Sequence, residues 1–141
     1  MRYLIILTLS LFVTAGVAQA NSPSSQQPVI DTHVHYNQDI WENIPPQTAV
    51  EELRKLGIRR AWVSSTPDEG TRMLYAVDPE FIVPVLRTYR YDDDRNTWFN
   101  DETLIDDLIQ RLKQHRYAAI GEFHLALEDA RTPVIRGVVA L

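Results

Sequence analysis

"VIDTHVHYN", residues 29–37, holds two of the chain's four histidines one residue apart, with an aspartate just upstream, inside a run of β-formers. Val, Ile, Thr and Tyr favour a strand, and in a strand residues two apart point to the same side. Asp31, His33 and His35 are therefore expected on one face, and Ile30, Thr32, Val34 and Tyr36 on the other. If the apolar face meets helices, the Asp-His-His face looks into the interior of a barrel or across a cleft. Two imidazoles so placed can bind one ion of zinc, manganese or iron. The same spacing also suits a solvated polar face on an edge strand.

The residues after this strand indicate the fold. β-rich runs at Val29–Tyr36, Arg60–Ser65, Phe81–Arg87 and Ala118–Phe123 alternate with helical patterns at 48–57, 70–77 and 101–115. In the last of these, Leu104, Ile105, Leu108, Ile109 and Leu112 recur at helical spacing. Asn100 or Asp101 is expected to cap it, and a fourth helix is expected to begin at Thr132-Pro133. Strand and helix alternating at this spacing imply βαβ units and a parallel sheet. Connections from helix to strand are short, whereas "NQDIWENIPPQ" and "TYRYDDDRNTWFN" come after the first and third strands. Long loops at the C-terminal ends of parallel strands are where such folds carry their sites. Pro84 fits poorly, because a proline in a strand normally marks an edge or a bulge.

Ahead of this region, "MRYLIILTLSLFVTAGVAQA" has the order of a secretory signal peptide: Arg2, an apolar stretch from Leu4 to Val17, then "AQA". Residues 1–20 are expected to be cleaved after Ala20, giving a periplasmic or secreted protein with no stable membrane anchor. An uncleaved anchor is the alternative, although the apolar stretch is short of about 20 residues and is interrupted by Thr8, Ser10, Thr14 and Gly16. "NSPSSQQP" (21–28) reads as a flexible linker. Loss of Arg2 takes the formal charge from −5 to −6, and no basic cluster stands out, so nucleic acid is excluded as a partner. With no cysteine in the chain, thiolate zinc sites and disulfides are excluded too.

The fourth β-rich run repeats the chemistry of the first. "AAIGEFHLAL" sets Glu122 and His124 on one face of a strand otherwise made of small and apolar residues. A buried carboxylate needs a cation. A metal held by His33 and His35 would supply it; an exposed strand end or a pairing with Arg87 are the other options. Arg87 and His124 are candidates to line a substrate pocket. Trp41, Tyr89, Tyr91 and Trp98 either line that pocket as well or simply pack the loops.

"DTHVH" on the first strand together with "GEFH" on the fourth resembles the amidohydrolase superfamily of metal-dependent hydrolases, and the Gly-Glu form is similar to its TatD-like members. The resemblance covers nearly all of residues 29–141. It implies a (β/α)8 TIM-barrel type of fold, of which about four of the eight βα units are present. It implies that His33, His35 and Glu122 bind a divalent metal, zinc by family habit with manganese or iron as alternatives, as one or two ions. Asp31 would orient a ligand or hold the strand end. The activity implied is attack of a metal-activated water on an ester, amide or phosphoester of a small molecule. Metal-dependent decarboxylation, or a non-catalytic truncated protein that binds metal or a partner, are the alternatives.

The pattern also departs from that family. Its later histidines and its proton-accepting aspartate have no counterpart up to Leu141, so that aspartate is expected beyond it. Residues 29–141 therefore read as the N-terminal half of a barrel. Such a half is expected to be inactive alone and prone to self-association, with Val83, Val85 or Ile120 open to water.

Overall fold

The computed structural model describes residues 27–141. The expected signal peptide and residues 21–26 of the expected linker lie outside the described residues. From Val29 the chain is an α/β layer of four parallel strands, β1 (Val29–Val34), β2 (Ile58–Val63), β3 (Ile82–Leu86) and β4 (Ala119–Ile120), paired in sequence order. Helices α1 (Pro46–Lys55), α2 (Glu69–Val77) and α3 (Leu104–Gln114) connect them, and α4 (Pro133–Val139) comes after β4. The sheet is curled in the manner of a half-barrel. No helix among the described residues is long and apolar enough to cross a membrane.

The element ends have local causes. Pro46 opens α1, where a missing N–H costs nothing. Gly57 ends it at φ +81°, a left-handed conformation that glycine adopts without steric cost. The Thr132 side chain accepts from Ile135 N at 3.3 Å and starts α4 as expected. Asp101, one of the two residues expected to cap α3, does so from a turn just ahead of it. Its Oδ1 accepts from Thr103 N and Thr103 Oγ1 at 3.0 and 2.6 Å, and its carbonyl from Leu104 N at 3.1 Å.

Pro84 lies in the third of four strands, not at an edge. Its carbonyl accepts from Ala118 N at 2.8 Å, just before β4 begins. A residue in a parallel ladder directs its N–H and C=O to the same neighbour. The donor that Pro84 lacks would therefore face the chain's approach to β4, where there is as yet no ladder to interrupt.

Ala61 and Val63 of β2, fully buried, pack with Tyr36, Val50, Leu74, Phe81 and Ile82 beneath α1 and α2. Leu86 joins a second cluster with Tyr89, Trp98, Phe99, Leu104, Leu108 and the apolar side of α4. Between the two, the Tyr117 hydroxyl donates to Asp68 Oδ2, tying the start of α2 to the approach of β4. Burial raises the Asp68 pKa, against the Tyr117 hydrogen bond and the charges of Arg111 and Arg72. On the concave side, Val83 and Val85 are only 8% exposed, so the water exposure expected for them is not found. The curl of the sheet already shields the middle strand. Ile120, the third residue of that expectation, is half-buried on the edge strand β4, and at the other edge, β1, Val29 and Ile30 are more than half exposed.

Two glycines meet close neighbours of different kinds. A Cβ at Gly70 would lie 1.9 Å from the Tyr36 carbonyl oxygen, whereas one at Gly137 would lie 2.7 Å from Ile105 Cδ1. Backbone cannot yield as a flexible methyl can. Gly70→Ala is expected to destabilise the chain by about 2–3 kcal/mol. Gly137→Ala, in a helix that gains roughly 1 kcal/mol from alanine, should come out within about 1 kcal/mol of neutral. Urea unfolding of the two variants measures the difference, and equal losses would refute this account.

Candidate metal centre

β1 departs from strict alternation where the histidines begin. Asp31 pairs with Ala61 and Val34 with Val63, so β1 has one residue more than β2 over this interval. Such a bulge re-aims side chains. The irregularity falls between Asp31 and Val34, the stretch that carries His33. The Asp31 carboxylate turns back to accept the His33 backbone N–H at 3.0 Å and makes no hydrogen bond to either ring. His33 and His35 do come together, with their Nε2 atoms 2.9 Å apart and their rings edge to face.

Glu122 completes the group. The β4 ladder stops at Ile120, short of the expected Phe123, so Glu122 stands on the coil just past the strand. Its Oε2 lies 3.3 Å from His33 Nε2 and 3.1 Å from His35 Nε2. Among the described residues, His33, His35 and Glu122 form the one group of three such side chains able to share an ion. Two ligand atoms about 2.1 Å from one ion and 90–109° apart are separated by roughly 3.0–3.4 Å. The three sides of this triangle fall at or near that span, and two nitrogens with one carboxylate suit zinc, manganese or iron.

His35 Nδ1 is 2.5 Å from the Ser64 carbonyl oxygen. A carbonyl only accepts, so Nδ1 carries the proton and the neutral ring presents a lone pair at Nε2. Backing of this kind fixes the tautomer of a metal-ligating histidine. Burial lowers the His35 pKa; Arg87 and His33 act the same way, against the Ser64 hydrogen bond and Glu122. The Glu122 pKa is also lowered. Burial pushes it up, but the charge of Arg87, with smaller contributions from His33, His35 and His124, outweighs burial.

Of the two cations expected as partners of Glu122, Arg87 is in place beside it. Arg87 Nη2 donates to the same Oε2 at 2.8 Å. Arg87 is 4% exposed; its Nη1 donates to Thr66 Oγ1 at 3.0 Å and its guanidinium lies over the Tyr89 ring. His124 is half-buried, with Nδ1 2.8 Å from the Tyr89 hydroxyl and Nε2 2.9 Å from Arg95 Nη2. It borders an open cavity of about 610 Å³ that Phe99, Phe123 and Leu125 also line. Of the loop aromatics, Tyr89 and Trp98 are 1% exposed and pack the core, Trp41 stacks on Tyr36, and Tyr91 is exposed. Sequence reasoning missed Ser64, Thr66 and Arg95. Ser64 stands in "WVSST" at the C-terminal end of the second strand, where sites gather, and that was the signal to be found.

The two lowered pKa values set the direction of a pH effect in the metal-free protein. His35 protonates more readily unfolded, so its contribution is present above about pH 6.5 and is lost as pH falls through its lower folded value. Glu122 behaves likewise from about 4.5 downward. Thermal melts in chelator should show Tm falling between pH 7 and 5, and falling less in His35→Gln. An identical slope in that variant would refute the assignment.

No family model matches the chain, and neither does any curated protein or solved structure.

Proposed function

We propose that residues 29–141 form four units of a (β/α)8 barrel belonging to an exported metal-dependent hydrolase of the amidohydrolase type, with His33, His35 and Glu122 as ligands of a divalent ion. One observation carries this reading. His35 Nε2, a lone pair once Nδ1 donates to Ser64, stands 3.1 Å from the carboxylate oxygen Glu122 Oε2. Two acceptors in contact repel unless positive charge lies between them. Arg87 Nη2 serves Oε2 but does not reach the His35 lone pair, and His33 Nε2, with a single proton to give, can relieve only part of this. A divalent ion shared by the three atoms would relieve it, and the position at the C-terminal ends of parallel strands suits a site open to substrate.

When bound, such an ion supplies Lewis acidity, making water nucleophilic near neutral pH and polarising a carbonyl or phosphoryl oxygen. The chain's own residues hold and tune it. Ser64 keeps His35 in the ligating tautomer, the Asp31 carboxylate fixes the backbone at His33, and Glu122 contributes the negative charge. The exposed side of His33 leaves a direction from which a small molecule can approach. His124, whose two ring nitrogens are held by Tyr89 and Arg95, forms part of the wall of the neighbouring cavity, where a substrate would lie.

Zinc retention tests this directly. After loading and desalting, the wild type should keep zinc, whereas His33→Ala and His35→Ala should each lose at least about tenfold in affinity, as for loss of a ligand or of its support. His115→Ala should bind as the wild type does, because His115 lies at the far end of α3. Equal retention by all four proteins would remove the metal reading. Chelator-sensitive turnover of an ester, amide or phosphoester separates an enzyme from a metal binder.

A further inference from the structure

We propose that the site takes a single divalent ion, and that the Arg87 guanidinium stands where a second cation would otherwise bridge Glu122. The proposal rests on the metal reading above and narrows it. A carboxylate that bridges two ions offers one oxygen to each. Here Oε2 faces His33 and His35 and already receives Arg87 Nη2 at 2.8 Å. Oε1 faces His124 Nε2 at 3.4 Å, and that nitrogen is 2.9 Å from Arg95 Nη2. A second ion at Oε2 would sit against the Arg87 guanidinium, and one at Oε1 would compete with Arg95 for His124 Nε2.

Charge leads to the same count. Glu122 is the only acidic residue in salt-bridge contact with Arg87 among the described residues. Arg87 is too buried for water to take over this pairing: its side chain is 5% exposed and its Nε has no hydrogen-bond partner. One carboxylate thus already serves one fixed positive charge. A first dication adds to that charge in a partly desolvated pocket, and a second would have no anion left to meet it. Arg87 cannot withdraw either, since Thr66 Oγ1 and the face of Tyr89 hold its guanidinium in place.

Manganese(II) is the probe, titrated into the purified chain at pH 8, with metal counted after desalting and electron paramagnetic resonance recorded on the same samples. The expected result is one ion per chain with the spectrum of an isolated ion. Two ions per chain with a spin-coupled spectrum would overturn the proposal while leaving the metal reading intact. Retention of none would overturn the metal reading, and this one with it. Arg87→Lys, which keeps the charge, should bind within threefold of the wild type. Arg87→Met, confirmed as folded by circular dichroism, should bind the first ion at least tenfold more tightly, because the competing charge is gone. Weaker binding by folded Arg87→Met would show that Arg87 only orients Glu122, and would overturn its role as a stand-in cation. Should Arg87→Met fail to fold, the ion count and spectrum of the wild type still decide.

Discussion

β3 is buried along its whole length, and the rest of the fold is arranged around that burial. Ile82, near its start, belongs to the cluster beneath α1 and α2, while Leu86, at its end, belongs to the cluster of α3, α4 and the loop after β3. One strand therefore joins the two apolar cores, and the hydrogen bond from Tyr117 to Asp68 makes a second link between α2 and the approach to β4. Because β2 and β3 are each paired on both sides, together they fix how far apart β1 and β4 stand. That distance decides whether a side chain from β1 can meet one from the coil beyond β4.

The same strand ends in Arg87, whose charge enters the interior with the backbone that carries it. A desolvated guanidinium needs a carboxylate, and Glu122, on the coil just past β4, is the one within reach. This pairing holds Glu122 over the concave rim, where Oε2 also meets the two histidines of β1. The ion pair and the triad are thus one arrangement. The fold places a permanent cation beside a carboxylate, and the histidines add two nitrogen donors on its other side.

Much of this was legible from residue order. Alternating β-rich and helical runs gave four strands and their helices with ends displaced by a few residues, because hydrophobic periodicity reports burial and burial was regular here. Long loops after the first and third strands marked the correct rim. The convergence of His33, His35 and Glu122 came from placing each at a strand's C-terminal end. Three features escaped. The β1 bulge, next to which Asp31 accepts from the His33 backbone, depends on pairing with β2. The early end of β4 depends on how far β3 offers a partner. Pro84 read as a mark of an edge or a bulge because nothing local tells where the next strand begins.

What the sequence by itself determined is the set of chemical groups and the rim on which they gather: imidazoles and a carboxylate at the ends of parallel strands. Alternation and periodicity are local properties and need no partner to be read. Only the tertiary structure decided which tautomer His35 adopts and which charge Glu122 meets first. The Ser64 carbonyl lies 29 residues from His35, and Arg87 lies 35 residues from Glu122. Contacts at such separations are set by strand pairing and by the cost of leaving a buried charge or donor unmatched, and neither is written in the spacing of neighbouring residues.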